Sequence, residues 1–369
     1  MKKFNRNIAL VTLFPALLLL SGCDHDIAIT SDVHEDGSLD RTIMLQMDSD
    51  AALPNFMDVS TATGWQTSME RKSSTAGNAE KNDRKRVVFS KHFGSVADAN
   101  ADMDGKSDTL FHVMSTFEKK NRWFYTYIDY SDTYRALDRF KGADAKDYFT
   151  EEDFSFIERL PAEGKPISKA DKLYLDRLNE KIFDIYGTRS IFEELFSGML
   201  STLREYKVAP QWTDSLTRKK EEIYSRFIKE DGVGERTYNL LDGGDKKETD
   251  DGLIAAADYL KIPLPEAARA DLRRQYIELE PRLNVISFAY TGKFLHAIRM
   301  PWSVVSTNAD SVNGNQLFWK PPVTKFLLKD YTMTARARKL NLWAVVISGL
   351  VVLATLALFF ARPRARRQV

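Results

Sequence analysis

The oxygen donors at Asn100, Asp102, Asp104 and Asp108 are the side chains whose spacing most invites chemistry. Alternating oxygens followed by a glycine, here Gly105, let a chain curl around a hard cation such as Ca²⁺. The twelfth position of such a loop needs a bidentate carboxylate, and this chain has Phe111 there. These four residues are therefore weak metal candidates within what reads as a polar turn. Gly105-Lys106-Ser107 has the ending of a phosphate-binding loop, but Asn100 stands where that motif needs glycine. The histidines at 25, 34, 92, 112 and 296 show no metal-ligand spacing. His92 and His112 fall on candidate strands of one sheet, where they can meet. The single cysteine, near the amino terminus, excludes a disulfide within the chain, and no Gly-x-Ser-x-Gly elbow is present. Asp and Glu are too abundant to single out a glycosidase pair. No catalytic residue and no cofactor is assigned from the sequence, and metal is assigned only at the weak candidates above.

The elements that would position these groups change period twice. Residues 27–33 and 39–47 are partly alternating apolar segments around Asp36-Gly37, the pattern of a hairpin. Residues 65–72 and 86–93 are further candidate strands. Residues 109–117 and 122–129 form a second hairpin around a turn at 118–121. In its second arm Trp123, Tyr125 and Tyr127 share one face, while Phe124, Thr126 and Ile128 share the other. A strand apolar on both faces is expected to be covered on both, either as a central core strand or as the aromatic wall of a ligand cavity. Trp123, Tyr125 and Tyr127 are the ligand-cavity candidates.

Helical spacing takes over across residues 146–282. A segment at 151–160 stops at Pro161. Ser168 can cap a long helix that Gly187 kinks or divides, and 213–229, 253–260 and 266–280 read as further helices. Strand patterns return at 283–290, 294–300, 303–307, 316–319 and 325–334, with a turn at Asn313-Gly314. The expected fold is α+β. The two β regions, 24–145 and 283–338, pair into one antiparallel sheet, and the helical segment is inserted between them.

Both ends of the chain point to a membrane. Lys2, Lys3 and Arg6, an apolar stretch at 8–20 and small residues at 21–22 have the three-part pattern of a signal peptide. Leu20-Ser21-Gly22-Cys23 resembles a bacterial lipobox, which implies that residues 1–22 are removed and that Cys23 carries a diacylglyceryl thioether and an acylated amino terminus. Several acyl chains on one residue give stable anchoring, where one would be marginal. Asp24 resembles the signal that retains some lipoproteins in a Gram-negative inner membrane. At the other end, residues 342–361 carry no ionisable side chain. At 1.5 Å per residue they span a hydrocarbon core of roughly 30 Å. Arg362, Arg364, Arg366 and Arg367 follow, and an acylated Cys23 outside the cytoplasm places this basic tail, 362–369, inside.

The segment from Met300-Pro301-Trp302 through Asn308-Ala309 to Val312-Asn313-Gly314 and Phe318-Trp319 resembles the strand–turn–strand signature of LppM-type lipoprotein domains. Those domains also combine a lipobox, an early Asp-Gly hairpin and a carboxy-terminal span. The resemblance covers about a third of the chain, at its two ends, and implies binding of lipid or envelope components. The chain departs from the pattern at Trp302, where glycine is usual, and in its large helical segment.

Composition fits a folded body: 43% of residues are hydrophobic and the formal net charge is +1, without the basic field that nucleic acid requires. Outside the membrane segments, roughly 310 residues are enough for one large or two moderate cores. The expectation is a non-catalytic extracytoplasmic lipoprotein of the inner membrane, with its main domain facing the periplasm or cell exterior and its carboxy terminus in the cytoplasm. Its partners are the membrane itself and a lipid, envelope component or membrane protein. The alternatives are an envelope hydrolase with a site between sheet and helices, and an assembly protein of a membrane complex.

Overall fold

The computed structural model describes residues 27–48, 63–72, 84–103, 112–137, 142–229 and 252–361. The lipobox, the signal-peptide pattern and the basic tail lie outside them, as do Asp104, Gly105 and Asp108.

Eleven described strands form two sheets. They are β1 Ile27–Val33, β2 Leu39–Asp48, β3 Gln66–Lys72, β4 Arg84–Phe93, β5 Val113–Asn121, β6 Tyr125–Tyr134, β7 Phe294–Arg299, β8 Ser303–Thr307, β9 Ser311–Asn313, β10 Gln316–Trp319 and β11 Tyr331–Leu340. The first sheet has the order β3-β4-β2-β1-β7-β10-β9 and the second β5-β6-β11-β8. The α+β class holds, but the single sheet expected from the sequence is replaced by two, and each draws strands from both ends of the chain. The pairing of β1 with β7 is parallel, joining chain segments far apart in sequence; the other pairings are antiparallel. After β7 the chain turns at Met300-Pro301-Trp302 and crosses to the second sheet as β8, then returns as β9 and β10.

The first hairpin is as the sequence predicts. Gly37 closes its turn at φ 91°, and a Cβ there would lie 3.1 Å from the Phe117 ring, so both backbone and space require glycine. The second hairpin is longer than predicted, because β5 runs through the charged residues 118–121. On β6, Thr126, Ile128, Tyr130, Asp132 and Tyr134 are buried and the alternate residues are partly exposed. The expectation of cover on both faces therefore fails, and the strand has one core face and one wet face. Aromatic rings tolerate half-burial because their polar tips can reach water.

The helices serve two cores. Thr150 and Asp153 form a reciprocal capping box that opens Glu151–Arg159, and Ser168 caps Lys169–Glu180. Phe156, Ile157, Leu178, Ile182 and Tyr186 join the core between and around the sheets. A wide π-helical turn, Lys181–Gly187, leads into Thr188–Glu205, so the predicted break falls at Gly187. From there Phe192, Phe196, Met199, Leu203, Leu216, Ile254 and Leu272 build a separate helical core. The predicted helix at 213–229 is divided into Pro210–Arg218, Lys220–Ile223 and a π-helical Tyr224–Lys229.

Two strand assignments are overturned. Residues 283–290 belong to the helix Glu266–Thr291, which continues through Pro281. Proline removes only one N–H from the ladder, and the β-branched residues that follow mimic a strand pattern. Residues 325–334 split into a short helix, Thr324–Leu327, and the start of β11. The closing helix, Leu342–Ala361, follows β11 after one residue; its stretch Leu342–Phe360 has mean hydropathy 2.5 and is long and apolar enough to cross a membrane.

Candidate functional site

Three groups of polar or aromatic side chains stand out, and the first lies between the sheets. Arg41 on β2, Ser31 on β1 and His296 on β7 face Ser115 on β5 and Tyr130, Asp132 and Tyr134 on β6. Arg41, Asp132 and His296 are completely buried. Asp132 Oδ1 accepts from Arg41 Nη2 at 2.9 Å, Ser115 Oγ at 2.5 Å and the Tyr130 hydroxyl at 2.8 Å. Its Oδ2 accepts from Ser31 Oγ at 2.8 Å and His296 Nε2 at 2.9 Å. That contact puts the imidazole proton on Nε2, so Nδ1 accepts from the Tyr134 hydroxyl at 3.2 Å.

Burial alone would raise the Asp132 pKa, but Arg41 and the bonds from His296 and Ser115 outweigh it and hold the carboxyl well below the usual range. Burial pushes the His296 pKa down, against the opposing pull of Asp132, and keeps the ring neutral. The cluster thus contains one cation and one anion. Five donors converge on the carboxylate, while Arg41 Nε is buried without a partner. An aspartate–histidine pair beside serines resembles a proton relay in its residue types. Here all five donors to Asp132 come from the protein itself, and the arrangement clamps one sheet to the other.

The second group lies near the end of the first hairpin. Asp40 on β2 pairs in register with His92 on β4, and His34 follows β1 directly. Asp40 Oδ2 accepts from His34 Nε2 at 2.7 Å and Oδ1 from His92 Nδ1 at 2.6 Å. The imidazoles are 6.2 Å apart, and all three side chains reach solvent. The turn beneath is braced: the backbone N–H of His34 donates to Ser38 O at 3.0 Å, and Glu35 accepts from Trp302 Nε1 at 2.6 Å and from Lys339. Trp302 thus ties the hairpin turn to the β7–β8 connection, and Lys339 ties it to β11.

The third group joins the body to the apolar helix. Asn341 Oδ1 accepts from the Thr126 hydroxyl at 2.8 Å, and its Nδ2 donates to Arg122 O at 2.7 Å and Trp123 O at 3.2 Å. Its backbone N–H donates to Phe124 O at 2.8 Å. Trp123 stacks edge-on against Trp343, with ring centroids 5.2 Å apart, and its indole N–H donates to Ser348 Oγ at 3.0 Å.

The sequence-named residues are distributed as follows. Trp123 packs on the apolar helix instead of on its strand neighbours. Tyr125 and Tyr127 lie 6.2 Å apart on the half-exposed face, where the Arg338 guanidinium covers Tyr125 at 4.5 Å. Asn100 and Asp102 sit on the helix Val96–Met103. Asn100 holds both backbone groups of Ser115, at 2.7 and 2.9 Å. Asp102 accepts from Trp65 Nε1 at 3.0 Å and Lys91 Nζ at 2.7 Å. These three oxygens are committed to protein donors, and the other two metal candidates lie outside the described residues. His92 meets His34, not His112. Sequence reasoning missed Arg41, Asp132 and His296 because each is an unremarkable polar residue in a strand; their alternation with core positions is the one signal available. No family model, curated protein or solved structure matches the chain, so its functional reading rests on its own residues.

Proposed function

We propose that this chain is a doubly anchored extracytoplasmic lipoprotein whose α+β body binds a lipid, an envelope component or a protein partner at the membrane surface, without catalysis. The observation that carries this reading is the built junction at Asn341. Four hydrogen bonds and the Trp123–Trp343 contact couple the β5–β6 turn to the first turns of the apolar helix. A reporter or enzyme on a flexible tether needs no such fixing, whereas a module that must meet the bilayer in one pose does. Tryptophans at this level suit a membrane–water interface, where amphipathic rings concentrate. Phe124, about half exposed beside Trp123, extends the same belt. Trp123 and Tyr125 then serve the interface instead of a cavity wall. The LppM-type resemblance at the two ends favours the same class.

The test is metabolic labelling of the full chain in a Gram-negative host with an alkyne fatty acid, followed by native mass spectrometry of the detergent-purified protein. Wild type should be labelled and Cys23→Ser should not, and a lipid or one membrane protein should copurify. Unlabelled wild type would overturn the lipoprotein reading. A domain that emerges empty yet cleaves envelope polymers would favour the hydrolase instead.

A further inference from the structure

The His34–Asp40–His92 group is built like three sides of a metal site. We propose that it takes one divalent transition-metal ion, with Zn²⁺ the best match. Its potential ligand atoms, one per residue, all lie within 4.8 Å of one another. Zn²⁺ binds imidazole nitrogen and carboxylate oxygen at about 2.0–2.2 Å, which puts neighbouring tetrahedral donors about 3.4 Å apart. The nitrogen–oxygen contacts of 2.7 and 2.6 Å run to different oxygens of Asp40, so whichever oxygen ligates, its own contact must open by less than about 1 Å, while the other separations, at most 4.8 Å, close by up to about 1.4 Å. All three side chains are partly exposed and can make that adjustment by small rotations.

Two further features favour a cation over a purely hydrogen-bonded trio. Asp32 is the direct cross-strand partner of Asp40, and like charges placed opposite one another are destabilising unless something offsets them. Arg299 approaches Asp32 to 3.3 Å and offsets one of the two; a metal on Asp40 would offset the other. The backbone is also organised in advance. β2 and β4 fix Asp40 and His92 by register, and the bonds from Glu35 to Trp302 and Lys339 hold the turn next to His34. Mixed nitrogen and oxygen donors select Zn²⁺ and its late first-row neighbours over Ca²⁺ or Mg²⁺, which prefer all-oxygen sites. Three protein ligands leave a fourth tetrahedral position for water or for an oxygen donor brought by a partner.

The experiment titrates the full chain in detergent with Zn²⁺ and Co²⁺, beside the His34→Gln/His92→Gln double variant. One Zn²⁺ per chain should bind, raise the unfolding temperature and be released by a chelator. Co²⁺ should give the visible absorption of a four-coordinate site. The double variant should fold with unchanged metal-free stability and bind at least about tenfold more weakly, since even the loss of an outer-shell partner costs that much. Zn²⁺ stabilisation of equal size in the double variant would overturn the assignment, because the metal would then sit elsewhere. Failure of wild type to take up either ion at micromolar concentration would overturn it as well.

Discussion

Replacing Arg41 by Met keeps most of the side chain's length and deletes the only cation that faces Asp132 among the described residues. Burial then acts on a carboxylate that retains neutral donors alone. Breaking a buried pair in this way costs about 3–5 kcal/mol, and Asp132→Asn should cost a similar amount by stranding the guanidinium. Removing both charges together should cost far less than the sum, because an uncharged pair of similar volume is often nearly neutral. The double-mutant cycle should therefore return a coupling of about 3 kcal/mol or more. The pH dependence has a definite sign. In wild type the folded Asp132 pKa is depressed, so its contribution is present above the unfolded value of about 3.9 and is lost as pH falls below it. In Arg41→Met burial dominates and raises that pKa, so stability is present at low pH and lost as pH rises. The deficit of the variant against wild type should then be largest at neutral pH and shrink toward pH about 4. Urea unfolding of the full chain in detergent, followed by tryptophan fluorescence, reads this out. Trp319 is fully buried with its ring 6.2 Å from His296 and reports locally. Single variants that each cost under about 1 kcal/mol, or effects that simply add, would refute the inter-sheet clamp.

Burial holds the folded His296 pKa below its ordinary value, so wild type should lose stability as pH falls from about 6.5 through the folded value. That part of the pH–stability curve should be missing in His296→Gln; its persistence would place the titration elsewhere. Gly142→Ala should destabilise by about 1–3 kcal/mol, because the new Cβ would lie 2.7 Å from Glu194 N and 2.8 Å from Ser190 O, backbone atoms of a packed helix. Gly198→Ala should be close to neutral in the same denaturation assay, since the Gln275 amide that its Cβ meets at 2.1 Å must turn aside and give up its bond to Thr202, while alanine favours the helix by about 1 kcal/mol. Asn341→Ala should loosen the junction. Spin-label distances between the body and the apolar helix, narrow in wild type, should broaden, and an unchanged distribution would remove the basis for a fixed pose.

The local parts of this fold were legible because their signals are local. Asp36-Gly37 between alternating segments specifies the first hairpin, and Ser168 marks a helix start. Long-range pairing left no such trace. Nothing near Ile27 says that β1 will lie parallel to β7, and nothing near Pro301 says that the chain there changes sheets. The helix expected at 266–280 runs on through Pro281 to Thr291, because one missing N–H does not outweigh the turns on either side. The residues of the proposed sites follow the same division. Cys23 is marked by its neighbours, whereas His34 and His92 are 58 positions apart and meet only because β2 pairs with both β1 and β4. A search for ligands at short spacing cannot find them.

The topology also constrains how the two proposed anchors could share one bilayer. β11 delivers the chain to the apolar helix at Leu340, opposite Tyr125 at the start of β6. Tyr134 at the other end of β6 is nine residues away, about 30 Å along the strand. There it meets His296, the neighbour of Ile29 on the parallel strand pair. The start of β1 therefore lies at the far end of the sandwich from the apolar helix. From Ile27 back to Cys23 is four residues, with a reach of at most about 14 Å. If Cys23 is acylated and both anchors enter the same membrane, the strands must lie within about 30° of the bilayer plane, since 14 Å of reach must cover the height gained over 30 Å. The body then rests along the membrane, not upright on its helix. The hydrogen-bonded Asn341 junction suits such a posture, because a helix free to swivel would let the thirty-ångström lever lift one proposed anchor against the other.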